Sequence, residues 1–147
     1  MARFVSRLRA RSYVALVVAA GTLVALIPGP VAHASPVGEC QAVSADQVAV
    51  TRCLQTTLSS ADQVMGMALD RLLKRADELD GVTGRVVARP AVEQAQVEWQ
   101  AFRDANCAVP AALAGGASGS GQFQLGCMIT MSRARAVELD EFAAGIY

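Results

Sequence analysis

The sequence predicts an all-α fold: a small bundle of three antiparallel, hairpin-like helices stapled by two disulfides. Apolar side chains recur at steps of three and four along three separate stretches, the spacing that lines one face of an α-helix. Four cysteines stand in a short chain, an even count that suits a disulfide framework. No stretch shows the period-two alternation of a half-buried strand.

The 147-residue chain opens on Arg3, Arg7, Arg9 and Arg11, runs from Tyr13 to Ile27 without a charge, and breaks at Pro28, Gly29 and Pro30. A basic leader, an apolar core and a break, in that order, make a signal peptide. Ala32-His33-Ala34 offers small side chains where a signal peptidase pocket must accept them, which places cleavage after Ala34. The apolar run falls short of the roughly 20 residues of a spanning helix, and Glu39 precedes Cys40 where a lipoprotein signal needs a small residue. Residues 1–34 are therefore expected to be removed. Residues 35–147 should then form one soluble domain without a stable membrane anchor, in the periplasm or outside the cell.

Processing changes the chemistry. Four arginines leave and no acid does, so 9 Lys plus Arg face 13 Asp plus Glu, a net charge of about −4. An acidic domain without a basic run suits neither nucleic acid nor an anionic membrane surface, and a basic protein partner is electrostatically easier. His33 is the only histidine and lies inside the leader. Its loss removes the usual general base near neutral pH, any Ser/His or Cys/His nucleophile system, and the commonest metal ligand. The chain reads as a non-enzyme with no cofactor and no metal site.

Cys40, Cys53, Cys107 and Cys127 allow three pairings. Cys40 with Cys53 and Cys107 with Cys127 is favoured, because each bond closes a short local loop worth roughly 3 kcal/mol. No Cys-x-x-Cys pair is present, so the spacing fits neither a redox centre nor a zinc site.

Ser35 to Gln41, with Pro36 and Gly38, reads as an extended lead-in. Ser44-Ala45-Asp46-Gln47 has the form of a capping box and opens the first helix, Ala45 to Asp80. Its stripe is Leu54, Leu58, Ala61, Met65, Ala68, Leu72, Ala76 and Leu79, and Gly81 should stop it. A straight helix of that length spans about 54 Å, so Ser59-Ser60 and Gly66 are expected points of bending. Pro90 suits the first turn of a second helix, whose face repeats Val92, Ala95, Trp99 and Phe102 and which should end near Cys107, ahead of Pro110. Trp99 and Phe102 read as core. Ala114 to Gln122, rich in glycine, reads as a flexible loop. The third helix, Phe123 to Ala143, should bury Leu125, Met128, Ser132, Ala136 and Leu139, with Gly126 softening its first turn.

Some residues invite sharper readings. Met65-x-Met67 and Met128-x-x-Met131 resemble soft metal ligands, but methionine filling a core is far commoner. The acidic runs Asp77-Glu78-x-Asp80 and Asp140-Glu141 read as solvated helix faces. Arg103 and Asp104 are adjacent, cannot face each other across a helix, and should each pair with another element or cap the turn near Cys107. Arg135 is a sensible partner for Asp104 or Glu98, and the sequence leaves open whether such a pair is structural or interfacial. The span from Ala108 to Gly126 exceeds a usual helix connection, which makes Gly115, Gly116, Ser118, Gly119 and Ser120 candidates for partner contact.

The run from Ala95 to Cys107, with Gln96, Trp99, Phe102, Arg103 and Asp104, is followed by a Gly-Gly loop and then Cys127, Ser132, Arg135 and Leu139. This combination resembles the N-terminal domain of the LprI-type lysozyme inhibitor family, and the likeness reaches back through Ala61-Asp62 to Cys53 and Cys40. Met65-Gly66 and Leu69 depart from it, since the family has Leu-Asn and then an aromatic there, and the lipid-attachment cysteine of the named inhibitor is absent. The resemblance implies an exported, non-enzymatic binding protein that blocks a lysozyme-type muramidase. Many lysozymes are cationic with two carboxylates in the cleft, so an acidic inhibitor is steered inward while a neutral Gly/Ser loop enters without repulsion. The alternative is an envelope or secreted interaction module with another protein partner, using the surface of the second and third helices.

Overall fold

The computed structural model describes residues 35–146 and contains four helices: α1 (Pro36–Val43), α2 (Gln47–Thr83), α3 (Ala88–Leu113) and α4 (Ser120–Ala144). No strand occurs among the described residues. The all-α expectation holds, with four helices in place of three; the expected leader, residues 1–34, lies outside the described residues.

The extra helix is α1, where an extended lead-in was expected. Ser35 caps it, its Oγ accepting from the Gly38 N–H at 3.2 Å. Pro36 takes the first helical position, where a missing N–H costs nothing, and Glu39 lies in the first turn, where the helix dipole favours an acid. The Cys40–Cys53 disulfide ties α1 to α2, and the second bond joins Cys107 to Cys127, so both favoured pairings form. Against α4, α1 sits on Gly126: a Cβ there would lie 2.8 Å from Val37 Cγ2, so only glycine permits this approach.

Asp46, not Ser44, caps α2, accepting from the Ala49 N–H at 2.8 Å, while Ser44 ends α1. With 37 residues α2 is about 55 Å long. It runs unbroken through Ser59, Ser60 and Gly66. Thr51, Thr56, Thr57 and Ser60 turn their hydroxyls to carbonyls one turn back, so these side chains are satisfied within the helix. The helix passes Gly81 and stops at Gly84, whose φ of +68° suits glycine. Its buried face, Leu54, Ala61, Met65, Ala68, Leu72 and Ala76, follows the expected stripe, whereas Leu79 is exposed.

Helix α3 begins under Asp80, whose carboxylate accepts from the backbone N–H groups of Val87, Ala88 and Arg89 at 3.1, 2.9 and 3.0 Å. Pro90 lies in its first turn as expected. The helix does not stop before Pro110 but continues to Leu113. Pro110 loses its own donor and crowds the carbonyl one turn back, but it falls in the last turn of the helix, where Ala108, Ala111 and Ala112 are strong helix formers. The expected long loop shrinks to a turn over residues 114–119, with Gly115 and Gly116 at φ +62° and +78°. Backbone bonds from Ala117 N to Ala114 O and from Ser120 N to Ala117 O close it. Gly121 and Gln122 belong to α4, and Gly126 is a buried packing position rather than a soft first turn.

Gln122 meets Gln47, Ser132 meets Asp62 and Asp140 meets Arg71, so α2 and α4 run parallel. Arg103 meets Asp62 and Arg89 meets Asp77, so α3 runs antiparallel to α2. The core is in two parts. One joins Cys40, Val50, Leu54, Ala61 and Ile129; the other joins Met65, Ala68, Leu72, Ala136 and Leu139. Each fully buried aliphatic side chain stabilises the fold by about 1.5–3 kcal/mol.

Candidate functional site

Between the two apolar clusters lies a polar layer built from residues of α2, α3 and α4. Arg103, only 8% exposed, donates from Nη1 to Asp62 Oδ1 at 2.9 Å and to Ser132 Oγ at 3.0 Å. Ser132 Oγ in turn donates to Asp62 Oδ1 at 2.7 Å, closing a three-membered network. The guanidinium also folds back, with Nε donating to Asp104 Oδ1 at 3.0 Å, which corrects the expectation that these neighbours do not meet. An arginine is long enough to reach along the chain even though adjacent Cβ atoms diverge.

Two guanidinium groups lie over the Trp99 ring, those of Arg103 and Arg135, each 5.5 Å from its centroid. Arg135 donates from Nε to Gln96 Oε1 at 3.1 Å and from Nη1 to Glu138 Oε2 at 2.6 Å, so its carboxylate partner is Glu138 and neither Asp104 nor Glu98. Gln96 completes the layer by donating to Met65 Sδ at 3.7 Å. Among the described residues no buried side-chain nitrogen or oxygen lacks a partner, which is what makes such a layer tolerable in a core.

The buried face of α3 is therefore Gln96, Arg103 and Cys107 with half-buried Val92 and Trp99: Val92 and Trp99 keep their places in the apolar repeat, while Gln96 and Arg103 take those expected of the exposed Ala95 and Phe102. Phe102, expected in the core, is 59% exposed. Periodicity in apolar residues alone misses this face because two of its members are polar. Arg103 is consumed inside the fold; Asp104 keeps a largely exposed carboxylate. Met65 and Met131 fill packing positions, but Met67 is 53% exposed. Met131 Sδ packs 3.5 and 4.0 Å from the two sulfurs of the Cys107–Cys127 bond, which carry no S–H and so touch it by van der Waals contact.

The candidate contact residues gather at the other notable region, the end of the bundle that carries the turn. Gly115, Gly116 and Ser118 are exposed there, and Gly119 and Ser120 partly so. Gln122, 6% exposed, pins the turn to α2, its Nε2 lying 3.1 Å from Gln47 O, 3.0 Å from Gln47 Oε1 and 3.1 Å from Thr51 Oγ1. A cleft of about 430 Å³ opens beside it, lined by Gln47, Thr51, Arg52, Gln55, Ser118 and Gln122. On the far side of α4 a more apolar cleft of about 540 Å³ lies against α1, with Pro36, Val37, Phe123 and Met131 in its walls. The sequence pointed to the turn through its glycines, whereas the α2 wall of the first cleft carries no motif.

Among the described residues no helix is long and apolar enough to cross a membrane, and no group of three His, Cys, Asp or Glu side chains comes together. Comparison with curated proteins and with solved structures gives no match. The family described as Lysozyme inhibitor LprI matches over residues 40–139, from the first cysteine of the first disulfide to Leu139 of α4. That span holds both disulfides, the whole polar layer and the turn, and with it the chain belongs to the LprI family of lysozyme inhibitors.

Proposed function

We propose that the protein is an exported, non-enzymatic inhibitor of a lysozyme-type muramidase, cleaved after Ala34, and that the bundle end carrying the 114–119 turn meets the enzyme. Family membership across residues 40–139 carries the reading. Three further observations support it. The processed chain has a net charge of about −4, which favours encounter with a cationic enzyme. The turn Ala114-Gly115-Gly116-Ala117-Ser118-Gly119 is free of charge, so it approaches a cleft holding two carboxylates without repulsion. Its ends are fixed by α3 and α4, so little freedom is lost on binding. Arg103, locked in the polar layer, is a scaffold residue on this reading, while Asp104 lies outside the proposed contact.

Titrating a cationic animal-type lysozyme with the oxidised chain 35–147 tests this directly. Saturating inhibition near one-to-one, weaker at high salt, is the expected result. Ala117→Glu/Ser118→Glu should weaken inhibition at least tenfold without changing the helical content. Undiminished inhibition by this variant removes the turn from the contact, and no inhibition by the wild type at large excess removes the function. A second reading, a non-lysozyme protein partner, draws on one observation: Val82, Val86 and Val87 are 88%, 79% and 63% exposed near the α2–α3 connection.

A further inference from the structure

We propose that Arg52, in the cleft between α2 and the turn, is the residue that engages the catalytic carboxylates of the muramidase. This assignment rests on the inhibitor reading and names the group that reads the enzyme's active site.

Six of the arginines in the described residues already face a carboxylate: Arg71, Arg75, Arg89, Arg103, Arg133 and Arg135. Arg52 makes no ion pair among the described residues, and it is the only ionisable side chain lining the cleft. The other unpaired cations, Lys74 and Arg85, lie further along the chain, beyond the polar layer and away from the turn. The cleft therefore presents one free guanidinium among amides, hydroxyls and the apolar Val48, beside the uncharged turn.

Chemistry selects an acidic occupant. A guanidinium is a planar fork that meets a carboxylate through two parallel hydrogen bonds and stays charged at any working pH. Glycosidases of the muramidase type place two carboxylates on either side of the bond they cut. An overall acidic body that presents one cation at its contact end combines long-range attraction to a basic enzyme with local complementarity to the acidic floor of its cleft. Gln55 on α2 and Ser118 on the turn carry the amide and hydroxyl groups that suit positions otherwise taken by sugar hydroxyls.

The backbone under Arg52 is also held on both sides. Thr51 Oγ1 lies 3.1 Å from the Gln122 amide nitrogen, and Cys53 is bonded to Cys40 of α1. Only the side chain itself remains to be ordered on binding, which lowers the entropic cost of contact.

A double-mutant cycle tests the assignment. Dissociation constants are measured for wild type, Arg52→Ala and Lys74→Ala against a cationic animal-type lysozyme and against the same enzyme with both catalytic carboxylates changed to amides. Circular dichroism on each variant checks that the helices are intact. Arg52→Ala is expected to weaken binding to the native enzyme by at least about tenfold, and to the amide form by less than about threefold. Lys74→Ala should stay within about twofold on both. If wild type binds and Arg52→Ala binds equally well, or loses the same factor on both enzymes, the assignment is overturned while the inhibitor reading stands. Failure of wild type to bind either enzyme overturns both together.

Discussion

Arg103 holds three helices in register with one side chain. It reaches Asp62 on α2 and Ser132 on α4 from its own place on α3, and its face covers Trp99. Its side chain is about one-tenth exposed, but that of Asp62 is 38% exposed, so water screens part of the charge pair. Arg103→Ala leaves Asp62 with only the Ser132 hydroxyl as donor and Ser132 Oγ with none, and is expected to lower stability by about 2–4 kcal/mol, read as a drop in the urea midpoint. Arg103→Lys should recover only part of this, since an ammonium cannot reproduce both the Nε and the Nη1 bonds. Equal stability of all three chains would show that the layer is mere filling. At the same scale lies the reason the site was only half legible. The cysteines, Trp99, Arg103 and Ser132 were visible as a pattern, but their burial was not, because a sequence marks polarity without showing which polar groups satisfy one another.

At the scale of elements, α2 was legible because its buried positions are apolar at every step from Leu54 to Ala76. Helix α1 was not: eight residues carry no repeat, and Pro36 reads as a breaker until Ser35 is seen to cap it. The glycines of the last third misled in the opposite direction. Gly115 and Gly116 supply left-handed backbone, but Gly121 and Gly126 sit inside α4, where Gly126 serves a close approach instead of a bend. Gly126→Ala is expected to cost about 1–3 kcal/mol by pushing Val37 away. Combining it with Val37→Ala should return most of that loss, and thermal melts of the two single variants and the double variant test whether the α1–α4 contact is the cause. The start of α3 carries a separate expectation. Three backbone N–H groups hold the Asp80 carboxyl below its ordinary range, chiefly those of Ala88 and Arg89. A carboxyl held low in the folded state stabilises the fold above its unfolded-state pKa, and that contribution disappears as pH falls through the folded-state value. Asp80→Asn should therefore melt below wild type at pH 7, with the gap closing on acidification. A gap that is constant across pH would remove the charge from the explanation.

For the whole molecule, the two kinds of fastening are largely segregated, with one ion pair, Arg133 to Glu39 of α1 at 3.2 Å, beside the disulfides. Both disulfides join residues near the turn-bearing end: Cys53 early in α2, Cys107 late in α3 and Cys127 early in α4. Toward the other end the helices are held by charge, with Arg71 meeting Asp140 through two bonds of 2.8 Å, Arg89 meeting Asp77 at 2.6 Å, and Asp80 capping α3. The Arg71 guanidinium holds the Asp140 carboxyl below its usual range, so this end weakens in acid by the same sign as Asp80. Covalent bonds ignore salt and acid, whereas exposed ion pairs ignore reductant. Hydrogen exchange should accordingly show protection falling first in the last turns of α2 and α4 in strong salt at low pH, and first in α1 and the 114–119 turn under a thiol reductant. Loss in the same segments under both treatments would contradict this separation. If the inhibitor reading holds, a chain crossing from an oxidising to a reducing compartment would lose the shape of its recognition end while the far end stayed folded, so thiol status would gate activity and acidity would gate survival.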